Sequence, residues 1–213
     1  MAFLNLFKNL FVNEDISNYT PVETSENLGT VRVLFVGPSR VGKTFLINCL
    51  FERESSRTVP TEGLSYDDFV FLAQDGSYSI DIIELGGDHS MKGLRKSSFL
   101  NRYTIVFVFN SNSAESVLEM KEIVKDFQFS DGKKLTATQI FFLYTTLNRD
   151  LQKYFTSDDV EELDTVIHNK LNVENLRVHF VEIQLSSREQ CRVLMNRIIT
   201  ESVKRKYNAK IDE

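Results

Sequence analysis

Cysteine is scarce in this chain. Cys49 and Cys191 are the only two, and they stand far apart in runs with helical spacing. That excludes a disulfide framework, offers no metal-ligand spacing and fits a reducing compartment. Glycine and proline are also few, at 9 and 3 of 213 residues, which excludes collagen-like and low-complexity chains. Positive charge is in deficit: 25 Lys and Arg face 30 Asp and Glu, for a net charge of −5. A bulk basic field for nucleic acid is therefore absent, and no nucleic-acid partner is expected. No uninterrupted apolar run approaches the length of a membrane span. The apolar N-terminal stretch is broken by Asn5, Lys8 and Asn9, and no small-residue cleavage pattern follows. The expectation is that it is not a signal peptide.

What is present is an ordinary globular composition, 42% hydrophobic and 26% charged, in a length that suits one domain with its own core. Residues 2–12 (AFLNLFKNLFV) place Phe3, Leu4, Leu6, Phe7, Leu10 and Phe11 on an arc of about 160° when wound as a helix. They read as an amphipathic helix over 1–12. The polar run 13–30 reads as a linker, 31–206 as the domain and 207–213 as a C-terminal tail. Seventeen phenylalanines read as core and sheet packing.

Within 31–206, strand-like and helix-like runs alternate. Strands are expected at 31–37, 65–73, 78–85, 103–110, 139–145 and 178–183, and helices at 43–51, 113–127, 158–171 and 187–206. The continuous apolar runs at 103–110 and 139–145 suit strands buried on both faces. Asp75-Gly76 between two strand-like runs is a hairpin signal. The expected fold class is α/β: a mostly parallel sheet with one antiparallel edge strand and helices on both faces.

The sharpest signal is Gly37-Pro38-Ser39-Arg40-Val41-Gly42-Lys43-Thr44, a G-x-x-x-x-G-K-[ST] motif between an expected strand and an expected helix. Its glycines let the backbone curl so that successive N–H groups face one oxygen cluster. The helix that follows adds its N-terminal dipole. Lys43 can reach the β- and γ-phosphates, and the Thr44 hydroxyl can ligate Mg²⁺. Gly37, Ser39, Arg40, Val41, Gly42, Lys43 and Thr44 are the candidate phosphate-binding residues. In the loop that follows, Thr61 is a candidate γ-phosphate sensor and metal ligand, approached through the stiff Pro60. Glu84 ends a strand beside the phosphate loop and is the third candidate for Mg²⁺. Gly87 offers an N–H to the γ-phosphate.

These motifs together resemble the ADP-ribosylation-factor-like small GTPases of the Ras superfamily. Pro60-Thr61-x-Gly63 is similar to that family's first switch and Glu84-Leu85-Gly86-Gly87 to its second. The strand and turn at 107–112 and the amphipathic segment LFKNLF resemble it as well. The resemblance implies a P-loop nucleoside-triphosphatase fold with about six strands, and GTP, GDP and Mg²⁺ as ligands. It implies a guanine-nucleotide exchange factor, a GTPase-activating protein and effectors as partners. It further implies peripheral membrane contact through residues 2–12, which places the protein in the cytoplasm or on an intracellular membrane, in vesicle or ciliary trafficking. The family's guanine-reading motif maps onto Leu147-Asn148-Arg149-Asp150 in either of two registers, giving Asn148 and Asp150 as candidates. Ser186 and Ser187 resemble its base-backing loop.

Four departures stand out. Glu84 replaces the family's Asp. Asp88 occupies the place of the water-orienting Gln, so Asp88 and Gly87 are the catalytic candidates and slow hydrolysis is expected. Neither register of the base motif matches fully. Ala2 stands where the family carries an acylated glycine. A second reading stays open: the same fold kept as a constitutive protein-binding module with structural nucleotide or none. A nucleotide kinase would need an Arg-rich lid, and the sequence shows none.

Overall fold

The computed structural model describes residues 27–54, 61–73, 76–99, 102–126, 139–146, 151–171 and 176–211. The segment 2–12, the first part of the expected linker, and Asn148 and Asp150 lie outside them.

Among the described residues one six-stranded sheet is flanked by five α-helices. In chain order these are β1 (Asn27–Val36), α1 (Lys43–Leu50), β2 (Leu64–Ala73), β3 (Gly76–Leu85), α2 (Lys92–Ser98), β4 (Thr104–Asn110), α3 (Ala114–Asp126), β5 (Gln139–Thr146), α4 (Ser157–Leu171), β6 (Arg177–Gln184) and α5 (Arg188–Ile211). The spatial order is β2-β3-β1-β4-β5-β6. All pairs are parallel except β2 with β3, whose antiparallel register runs from Leu64↔Leu85 to Ala73↔Gly76.

The central strands bury both faces, so two cores form. On one face Val33 and Phe35 of β1, Ile80 and Ile82 of β3 and Val106 and Val108 of β4 pack with Leu46 and Ile47 of α1 and Met195 and Ile198 of α5. On the other, Leu34, Ile105, Phe107, Ile140 and Phe142 meet Met120 and Ile123 of α3 and Leu163 and Ile167 of α4. A phenylalanine row crosses three strands here. Phe107, Phe142 and Phe180 stack with successive centroid distances of 4.9 Å. Aromatic pairs on one sheet face add roughly 0.5–1.5 kcal/mol each beyond their burial.

Beyond shifts of one or two residues at element ends, three features differ from the sequence expectation. β1 starts at Asn27, four residues before Val31, so the end of the expected linker is strand. Its polar NLGT start gives no strand pattern. It pairs with β3 through Asn27↔Ser77 and Thr30↔Ser79, with a register shift between, and Asn27 donates to the Ser79 hydroxyl at 3.2 Å. α2 was not expected at all. Its buried residues, Arg95 and Ser98, are polar, and Gly93 stands inside it, so no apolar period could appear. α5 continues to Ile211, so residues 207–211, expected as tail, are its last turn.

β1 lies between β3 on one side and β4 on the other, so the strand order reverses at it. The crevice beyond the carboxyl end of β1 is thus a topological switch point, where such sheets bind ligands.

Candidate functional site

The turn between β1 and α1 is residues 37–42, and close packing fixes its shape. A Cβ on Gly37 would lie 1.9 Å from the Val108 carbonyl oxygen. Gly42 has φ +99°, and a Cβ there would meet Leu185 at 2.6 Å. Thr145 of β5 donates its hydroxyl to the carbonyls of Val41, at 3.3 Å, and Phe109, at 3.1 Å, and so ties the loop to the sheet. α1 opens at Gly42 with no side-chain cap. Its first N–H groups therefore receive no side-chain partner, the arrangement that favours an anion.

Lys43 is buried at 5% exposure. Its ammonium donates to the carbonyls of Gly37, at 3.0 Å, and Pro38, at 2.8 Å, bridging back over the loop. Burial pushes its pKa down to about 8, against the opposing pull of Glu84. A phosphate placed here would restore the ammonium.

Beside it, three oxygen donors converge. The Thr44 hydroxyl donates to Glu84 Oε1 at 2.7 Å, the Thr61 hydroxyl donates to the same atom at 3.0 Å, and the two hydroxyls are 3.2 Å apart. Glu84 is 4% exposed. The three metal candidates, separated by up to 40 positions, thus meet at one point. One carboxylate with two hydroxyls suits Mg²⁺, which keeps several waters and takes phosphate oxygens. Among the described residues no group of three or more His, Cys, Asp and Glu is placed to hold a metal otherwise.

Backbone contacts lock the two switch segments to the phosphate loop. The Gly86 N–H donates to the Gly63 carbonyl at 2.8 Å, and a Cβ on Gly86 would lie 2.5 Å from the Thr61 carbonyl. At Gly87 an added Cβ would meet the Ser39 nitrogen at 2.2 Å and the Pro38 carbonyl carbon at 2.3 Å. Only glycine permits these approaches. Ser39, Arg40, Gly42, Lys43, Thr44, Phe45, Thr61, Glu84, Gly87 and Leu185 line a cavity of about 340 Å³, a size suited to a small ligand.

The remaining candidates lie elsewhere. The carboxylate of the exposed Asp88 accepts the Ser90 N–H at 2.8 Å and caps the short 3₁₀ turn His89–Met91. Asp88 is not among the cavity's lining residues. Ser187 caps α5, its hydroxyl accepting the Gln190 N–H at 3.3 Å, and Ser186 is exposed. Sequence reasoning passed over Phe45 and Leu185, which lend the cavity apolar walls, and Thr145. A hydroxyl closing an otherwise apolar strand was the available signal for Thr145.

A phosphate loop at the switch point, a buried lysine over it and an oxygen cluster beside it define a P-loop nucleotide-binding protein. The model of the ADP-ribosylation factor family matches residues 22–203. The chain belongs to that family, and so is a small GTPase, a GTP-binding switch in the general sense. It is 25% identical over 157 residues to ADP-ribosylation factor-like protein 3 of Caenorhabditis elegans, covering 74% of this chain and 78% of that one. It is 25% identical over 133 residues to ADP-ribosylation factor J of Dictyostelium discoideum, covering 62% and 67%. It is also 30% identical over 101 residues to the GTP-binding protein Rhes of Mus musculus, covering 44% and 35%.

Proposed function

We propose that the protein is a slow guanine-nucleotide switch that recruits effectors at the cytoplasmic surface of an intracellular membrane during vesicle or ciliary trafficking. The observation that carries the switch is the convergence of Thr44, Thr61 and Glu84, with Gly87 packed on the phosphate loop. One cluster joins the loop to both segments that would have to move.

Lys43 would bind the β- and γ-phosphates, and Thr44, Thr61 and Glu84 would hold Mg²⁺. When bound, the metal offsets phosphate charge. A terminal phosphate would be held by Thr61 and Gly87, and its loss would free the 61–63 segment from the 86–87 turn. Asp88, turned to Ser90, is a poor orienter of water, which supports slow hydrolysis without a partner. Edge strand β2 leaves Leu64, Tyr66, Val70 and Leu72 about half exposed along one face. An apolar stripe beside a switch segment suits effector docking. The apolar arc of residues 2–12 supports membrane contact.

The alternative, a constitutive binding module, draws on one fact. Lys43 already satisfies two loop carbonyls and Glu84 two hydroxyls, so the site is internally bonded. The deciding measurement is the nucleotide released from purified protein by denaturation and resolved by chromatography. Stoichiometric GDP or GTP supports the switch. A nucleotide-free protein that binds neither with Mg²⁺ supports the module.

A further inference from the structure

Two side chains bring positive charge to the cavity lining, and they are used differently. Lys43 is buried and donates to two carbonyls. Arg40 is exposed, and among the described residues its guanidinium has no hydrogen bond and no ion pair. Its backbone has φ +61°, in the left-handed region that glycine adopts freely and an arginine rarely does. A costly conformation at a long cationic residue, on the lining of the cavity beside the phosphate loop, calls for a compensating role.

We propose that Arg40 is a second, metal-independent phosphate clamp, closing over the polyphosphate from the rim and slowing nucleotide release. This rests on the nucleotide-binding reading above. The charge balance supports it. Glu84 cancels part of the charge that a divalent cation would bring, and Lys43 supplies a single charge to a polyphosphate carrying several. A free guanidinium offers two parallel N–H donors in a fixed plane, which match two phosphate oxygens. Left-handed backbone keeps the loop curled beneath, so its N–H groups and the guanidinium would address one ligand from two sides.

The test is the dissociation rate of fluorescent GDP from full-length protein, with Mg²⁺ and in excess EDTA. Wild type is compared with Arg40→Gln, Arg40→Lys, Arg40→Gly and the control Lys43→Ala. Arg40→Gln keeps the Cβ and the backbone cost but loses the charge. It is expected to release GDP about tenfold faster in both buffers, the worth of one lost hydrogen bond to a charged group. Arg40→Lys should fall between it and wild type, and the difference between Gln and Arg should shrink as salt rises. Arg40→Gly should release GDP as fast as Arg40→Gln. Its nucleotide-stripped melting temperature should equal or exceed that of wild type, because glycine relieves the backbone. Wild-type release from Arg40→Gln overturns the clamp, as does fast release from Arg40→Gly alone, which would make the position purely conformational. If wild type and Lys43→Ala both fail to retain GDP, the nucleotide reading itself falls and the clamp with it.

Discussion

The second switch divides between Gly87 and Asp88. On one side, Glu84 collects two hydroxyls, Gly86 bonds to Gly63 and Gly87 touches the phosphate loop backbone. On the other, Asp88 turns its carboxylate to the Ser90 N–H, and Arg95 of α2 donates to its carbonyl. The first half is packed on the phosphate loop and the 61–63 segment, and the second on its own turn. Binding and hydrolysis should therefore respond separately to substitution on the two sides of this boundary.

The strongest test of the binding half is Lys43→Ala. Removing the buried ammonium takes away the charge beneath the phosphates and strands the Gly37 and Pro38 carbonyls. Affinity for GDP and GTP should fall at least about a hundredfold, as expected when an ion pair and its hydrogen bonds go together. Titration with a fluorescent nucleotide measures it. Unchanged affinity would show that the loop does not hold phosphate.

Gly87→Ala comes next. A methyl group 2.2 Å from the Ser39 nitrogen cannot be accommodated without moving the 86–87 turn or the loop. GTP affinity should drop by about tenfold or more, and GDP affinity by less, because only the triphosphate would reach the Gly87 N–H. Isothermal titration with both nucleotides separates them. Equal losses would mean that Gly87 shapes the loop but senses no terminal phosphate.

The contrast between the halves also explains what the sequence disclosed. The phosphate loop was legible because phosphate chemistry demands glycines and a lysine at fixed spacing, and 37–44 carries them. Thr61 and Glu84 were legible only through that loop. A strand-ending carboxylate is common, and nothing local says that two hydroxyls will meet it. The sheet was legible because strands such as TIVFVFN and QIFFLYTT carry uninterrupted apolar centres, polar only at their ends. α2 was hidden because its inward side chains, Arg95 and Ser98, are polar. The polar start of β1 was hidden because pairing with β3, a contact some 50 residues away in sequence, makes it a strand. The capping role of Asp88 was hidden too: spacing placed it where the family's Gln stands, but not where its carboxylate would turn.

The pH dependence should be intermediate in size. In the ligand-free protein, burial lowers the Lys43 pKa to about 8. A bound phosphate raises it, because the anion favours the ammonium. The bound state thus holds more protons than the free state above pH 8, and affinity falls as pH rises there. Below 8 Lys43 is charged in both states and contributes no slope. The loss should approach about tenfold per pH unit between 8 and the raised pKa of the complex. Arg40→Gln should leave the break at 8 in place, whereas Lys43→Arg should remove it. A flat profile from 7 to 9.5 would mean that a charged Lys43 is not needed for affinity.

The smallest effect belongs to the other half. Asp88→Gln restores the amide expected at this position from the family resemblance, on a side chain long enough to reach past the turn, so single-turnover GTP hydrolysis should rise several-fold while GDP affinity stays within about twofold. The same change replaces the carboxylate that accepts the Ser90 N–H by an amide on a longer side chain. A neutral amide caps less well than a carboxylate, so melting temperature should fall slightly, for a cost of about 0.5–1 kcal/mol. The two readouts move in opposite directions, and that makes the test sharp. A loss of stability with no gain in hydrolysis would mean that the side chain at 88 serves its turn alone, and that water is positioned by another group or by a partner protein. A gain in hydrolysis with no loss of stability would mean that the cap is dispensable and that the side chain at 88 can leave its turn for the nucleotide.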